Sequence, residues 1–180
     1  MENIISRMEI WSRKLKPEVP TRLNKANQLA GTLRNKTAVL VGAEHLAGNI
    51  HVLRNQLNES SKDFATYLEL PELNHYAMEG LVNPRSNKRN LIFLFFDSKL
   101  YHRRVQRRSK LTKQVVKKNQ VEVASYELKG KTKIEQGFEL LQFGEWVSYY
   151  LGMLYDVDPS RRPRLACCKD TRSTWPSGSR

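Results

Sequence analysis

The sequence predicts an α/β domain built on a parallel sheet flanked by helices on both faces. Short strand-like runs alternate with helical stretches along the chain, and two of those runs are apolar throughout, as strands buried on both faces require. The 180 residues suit one domain, and 39% hydrophobic with 27% charged residues is the balance of a globular chain.

The elements follow in order. Residues 1–16 and 21–35 read as two short helices parted by Pro17 and Pro20, the second with Leu23, Ala26, Leu29, Ala30 and Leu33 on one face. Together residues 1–36 form an N-terminal helical arm. "TAVLVGA" (37–43) is a buried parallel strand running into a turn at Gly42, and the helix after it places Leu46, Ile50, Leu53 and Leu57 at helical spacing. "FATYLEL" is the next strand, with a short helix expected to begin near Tyr76. "NLIFLFFD" (90–97), the most hydrophobic stretch, belongs at the sheet centre. A basic helix follows, its apolar stripe formed by Leu100, Val105, Leu111, Val115 and Val116. "VEVASYEL" (121–128) and a long helix from about Lys133 to Tyr155, carrying Phe138, Leu141, Trp146, Val147, Tyr150 and Leu154, complete the pattern. Right-handed crossovers would place a site at the C-terminal ends of the strands.

Composition narrows the chemistry. No run approaches the ~18 apolar residues of a membrane helix, and the N-terminus has charges where a signal peptide is apolar, so a cytoplasmic location is expected. Cys167 and Cys168 are the only cysteines, and adjacent cysteines make neither a disulfide framework nor a C-x-x-C metal site. His45 and His51 lie off the i, i+4 spacing that a shared metal prefers, and no metal is expected. The net charge is +13, and of 31 basic residues a dozen fall between Arg85 and Lys118. A solvated helix face is the simplest reading of that run, with an anionic small molecule or a partner protein as alternatives. Nucleic-acid binding would need a recognition motif, and no helix-turn-helix, RNP or zinc-finger pattern is evident.

Three stretches are more specific. "VLVGAEHLAGNIHVLRNQLNESSKDFA", "PELNHYAMEGL" and "EWVSYYLGMLYDVDPS" together resemble the C-terminal half of the bifunctional phosphoglucose/phosphomannose isomerases, in the sugar isomerase (SIS) superfamily. N-Q-L-N-E (55–59) followed, after a strand, by E-L-N-H (72–75) carries most of that signal. The resemblance implies an SIS-type domain over residues 37–163 and isomerisation of a hexose 6-phosphate between aldose and ketose, without a cofactor. It places Glu59 on the family's catalytic glutamate and His75 on its histidine. Moving a hydrogen between C1 and C2 through an enediol requires a carboxylate base, and ring opening requires a group titrating near neutrality. In the family the histidine reaches the site across a subunit interface, which implies an oligomer or a separately supplied N-terminal SIS half. Glu72 reads as structural.

Two departures accompany the resemblance. The Gly/Ser-rich, S-G-N-T-type phosphate loop of an earlier SIS half is missing, and the nearest glycine-bearing turn, "VGAEHLAGN", puts the anionic Glu44 where a phosphate would sit. Residues 164–180 depart from the family's apolar pattern and read as a divergent, disordered tail. Within them Lys169 lies at the distance from Asp158 of the family's substrate-binding lysine. Tyr76 stands where asparagine is common. A non-catalytic module of the same fold, binding a sugar phosphate or mediating dimerisation, is the alternative reading.

Overall fold

The computed structural model describes residues 2–161. Its centre is a four-stranded parallel sheet of order β2-β1-β3-β4, with β1 at Thr37–Gly42, β2 at Ala65–Glu69, β3 at Leu91–Asp97 and β4 at Glu122–Glu127. The expected α/β class is what the chain adopts. The central strands β1 and β3 are the two continuously apolar runs, and both are buried along nearly their whole length. The edge strands β2 and β4 are only partly covered, in keeping with their mixed composition.

Helices lie on both faces. One layer holds α2 (Lys25–Leu33), α3 (Ala47–Glu59) and α6 (Lys133–Leu154), with α1 (Glu2–Arg13) leaning on α6. The 22 residues of α6 carry apolar groups on more than one face, and Glu135, Gln136, Glu139 and Ser148 are buried among them. Gly144 lets it approach α3: a Cβ there would come within 2.6 Å of Gln56 Oε1 and 2.7 Å of Leu53 Cδ1. Phe143 stacks on Tyr126 of β4 at 3.9 Å between ring centroids. Buried polar groups join the arm to this layer, with Asn24 Nδ2 donating to Leu15 O (2.9 Å) and Tyr150 Oη (3.0 Å), and Tyr150 Oη donating in turn to Leu15 O (2.6 Å). Asn24 also caps α2, accepting from Asn27 N. On α6 the expected Val147 and Tyr150 are buried, whereas Phe138 and Leu141 are partly exposed beside Ile134, Tyr149 and Met153.

The opposite face carries α5 (Arg103–Lys118) and the segment between β2 and β3. In place of one helix from Tyr76, that segment holds two 3-10 turns, Glu72–His75 and Glu79–Val82, and the one-turn helix α4 (Asn87–Asn90). Pro71 and Pro84 divide it into pieces too short to sustain an α-helix, and Asn83 before Pro84 is extended, as the proline ring requires. Leu73 and Leu81 anchor it in the core.

The apolar stripe on α5 differs from the expectation. Ser109, Thr112 and Val116 are the buried positions, with Val105 partly covered, while Leu111 is 53% and Val115 37% exposed. Small hydroxyls let the helix lie close to the sheet and are satisfied there: Ser109 Oγ donates to Asp97 Oδ1 (2.9 Å), and Thr112 Oγ1 donates to Arg108 O (2.9 Å) while accepting from Asn74 Nδ2 (2.8 Å). Valine and leucine content alone does not reveal that geometry.

Candidate functional site

Glu59 and His75 are placed by the elements on either side of β2. In a parallel sheet the helix after a strand runs back toward the strands' N-terminal edge, so Glu59, last residue of α3, lies at that edge. His75 closes the 3-10 turn beyond β2 and lies at the C-terminal edge. The five residues of β2 at about 3.3 Å each separate the two by roughly 17 Å along the sheet. One copy of the chain therefore does not bring them together.

Around Glu59 the α3 terminus is tightly organised. Glu59 is half-buried, and its backbone carbonyl accepts from Lys62 Nζ. Ser148 Oγ of α6 reaches the carbonyl of Gln56 at 2.7 Å, and Ser61 Oγ the carbonyl of Leu57 at 2.6 Å, so hydroxyls satisfy the last turn's orphan acceptors. Lys62 turns the chain with φ 57°. Asp63, four residues after Glu59, is a titratable group that the sequence did not single out. Burial pushes its carboxyl up from 3.8 to about 6 against the opposing hydrogen bond from Tyr155, whose hydroxyl stands 3.5 Å from Oδ1. That hydroxyl also accepts from the Asn35 amide at 2.7 Å.

His75 is exposed, as are its neighbours Glu72 and Tyr76. Its position is set by Leu73, which is fully buried, and by Asn74, hydrogen-bonded to Thr112 on α5. Lys169 and the end of the expected domain at 163 lie outside the described residues, as does the 164–180 tail.

The expected ligand crevice, at the C-terminal ends of β1 and β3 where the winding direction reverses, is filled by the chain's own side chains. Tyr101, 4% exposed, accepts from the Ala43 amide and donates to Phe96 O, both at 3.1 Å, and so bridges the two strand ends. Burial pushes its hydroxyl far above the ordinary range for a tyrosine. Gln136 Oε1 accepts from Ser98 Oγ (2.6 Å) and from His45 Nε2 (2.9 Å), which assigns the proton on that ring to Nε2, while Gln136 Nε2 donates to Gly130 O (2.9 Å). Glu44, at φ 49°, turns its carboxylate to the amide of His102 at 3.0 Å. Neither Tyr101 nor Gln136 belongs to a motif, so nothing short of the fold could reveal them. Among the described residues no group of three or more His, Cys, Asp or Glu is placed to hold a metal, and no helix is long and apolar enough to cross a membrane.

Comparison with known proteins adds the lineage. The family model described as the bacterial phospho-glucose isomerase C-terminal SIS domain matches residues 22–171. A bifunctional phosphoglucose/phosphomannose isomerase of Aquifex aeolicus is 27% identical over 152 residues, covering 84% of this chain and 47% of the relative. One from Caldicellulosiruptor bescii is 29% identical over 178 residues, covering 94% and 50%. This chain thus spans about half the length of the relatives it matches. Among solved structures, a glucose-6-phosphate isomerase like protein from Thermus thermophilus superposes with a TM-score of 0.75 at 20% identity, covering 89% of this chain and 55% of that one. The C-terminal domain of glucosamine-fructose-6-phosphate aminotransferase from Francisella tularensis gives 0.69 at 11% identity, covering 89% and 45%. At such identities these two speak for the fold alone. The family match covers most of the chain, and the chain belongs to the bacterial phospho-glucose isomerase C-terminal SIS domain family.

Proposed function

We propose that the chain acts as the C-terminal half of a phosphosugar isomerase, interconverting glucose 6-phosphate or mannose 6-phosphate with fructose 6-phosphate. The observation carrying this reading is N-Q-L-N-E at 55–59 and E-L-N-H at 72–75, on opposite ends of β2 in a chain of this family. A site using both residues then needs a second unit, either another copy or an N-terminal SIS half that also supplies the phosphate loop. Glu59 takes the proton from C2 of the open-chain aldose and returns it to C1 of the enediol. His75 moves the proton between ring oxygen and C1 hydroxyl that opens the pyranose. Lys169 binds the substrate. Side chains suffice for this route, so no cofactor takes part.

The test is fructose 6-phosphate isomerisation, followed by NMR of the products, for the chain alone and mixed with a separately expressed N-terminal SIS half. Turnover in the mixture is expected to fall about 10²- to 10⁴-fold in Glu59→Gln, which keeps the shape and removes the base. Undiminished turnover in that variant would sink the assignment.

The filled crevice favours a second reading, a non-catalytic module that binds a sugar phosphate or pairs with another SIS unit. Sugar-phosphate binding without turnover in either sample would select it.

A further inference from the structure

Helix α5 is amphipathic but leaves two large apolar side chains, Leu111 and Val115, on its exposed side. Val105, Ser109, Thr112 and Val116 face the sheet, and one position earlier, about 100° round the axis, Arg104, Arg108, Leu111 and Val115 form a second ridge turned outward. That ridge, with Arg107 and with Asn74 as the opposite wall, lines a groove of about 510 Å³. Leu111 and Val115 are its exposed apolar floor and the three arginines its rim.

The charge in the groove is unbalanced. Helix α5 holds eight lysines and arginines and no acidic residue, and among the described residues only Lys113 of the eight makes an ion pair, with Asp97. Arg103 and Arg104 occupy the first turn, where the helix dipole is already positive, and like charges recur at i, i+4 in Arg103–Arg107 and Arg104–Arg108. Each arrangement works against the isolated helix and is relieved by an anionic neighbour. Asn74, whose Nδ2 donates to Thr112, stands beside the groove with its Oδ1 out of solvent and accepting no hydrogen bond.

We propose that this groove docks an acidic amphipathic helix of a protein partner, apolar stripe on Leu111 and Val115 and carboxylates on Arg104, Arg107 and Arg108. From Arg104 to Val115 the ridge runs about 16 Å, three turns, which matches helix-in-groove recognition by side chains at i, i+4 and i+7. The same face of a second copy would oppose cation to cation, so self-pairing through α5 is disfavoured. A phosphate backbone would satisfy the arginines and leave the leucine and valine floor in water. The docking does not depend on the chain being catalytic.

The experiment uses the full chain and fluorescence anisotropy with three designed helical peptides: a leucine stripe flanked by glutamates, the same with lysines for glutamates, and the same with serines for the leucines. A single-stranded oligonucleotide is the fourth probe. The glutamate–leucine peptide is expected to bind, the serine version about tenfold more weakly, and the lysine version not at all. Leu111→Ser with Val115→Ser should weaken the first peptide about tenfold, and Arg104→Glu with Arg107→Glu should abolish binding; all four side chains are exposed, so the far-UV circular dichroism should be unchanged. The proposal is overturned by no binding of the first peptide, or by equal binding of its serine version. It is equally overturned by tighter oligonucleotide binding that Leu111→Ser and Val115→Ser leave untouched, or by a dimer of the chain that those substitutions dissolve.

Discussion

The two faces of the sheet are covered in different ways. The α6 layer interlocks three helices through large apolar groups and buried amides, with Phe143, Leu140, Val147 and Leu151 all essentially out of solvent and Asn24 joining the arm to Tyr150. The α5 layer is one helix seated on serine, threonine and valine, and it turns Leu111, Val115 and its arginines to water. The first face closes its core within the chain, although Ile134, Phe138, Leu141, Tyr149 and Met153 of α6 stay exposed on its outer side. The second is set up by the chain and left for something else to cover. Stability and recognition are thereby assigned to opposite faces, and substitutions should separate them.

The largest effect belongs to the α6 face. Phe143→Ala removes a buried ring stacked on Tyr126 and should cost about 3–5 kcal/mol, read from denaturant midpoints; a loss under about 1 kcal/mol would show that the layer is loosely packed. Next is Asn24→Ala, which deletes an N-cap, two buried hydrogen-bond donations and a part-buried one; about 2 kcal/mol is expected. If the arm were a dispensable extension, the same substitution would leave the midpoint unchanged.

Asp63 gives the comparison a pH dependence. Its folded carboxyl, at about 6, lies above the ordinary 3.8, so the folded state binds that proton more tightly than the unfolded chain does. Its contribution is most favourable below about pH 4, declines as pH rises toward 6, and is constant above that. Asp63→Asn should flatten this part of the stability–pH curve, which urea titrations at about pH 4.5 and 7 would reveal. An unaltered slope would mean that the group titrates normally.

The smallest effects lie on α5. Arg103→Glu places an acid in the first turn and should raise stability by about 0.5 kcal/mol despite removing a wild-type residue. Leu111→Ser should leave the midpoint within about 0.5 kcal/mol, because a side chain 53% exposed does little for the fold. A loss of about 2 kcal/mol or more there would erase the contrast between the faces.

Much of this architecture was legible in the sequence. Continuous apolar runs can persist only where both sides of a strand are covered, so β1 and β3 announced themselves as central. Periodicity located α3, α5 and α6 to within a few residues, and N-Q-L-N-E with E-L-N-H carried the family. The segment after β2 was less legible, because its prolines admit several short turns and periodicity has no hold on pieces of four residues.

What the sequence determined by itself is what depends on local pattern: strand and helix types, their order, and the motifs that carry a carboxylate at Glu59 and an imidazole at His75. Tertiary structure alone decided which side of α5 meets the sheet, since close packing onto strands selected small hydroxyls over leucine, a choice made by distance across the interface and not by hydropathy. It also set Glu59 and His75 at opposite ends of β2 and closed the crevice with Tyr101 and Gln136. Those arrangements come from strand direction and from residues far apart in the chain, and spacing along one dimension carries no record of either.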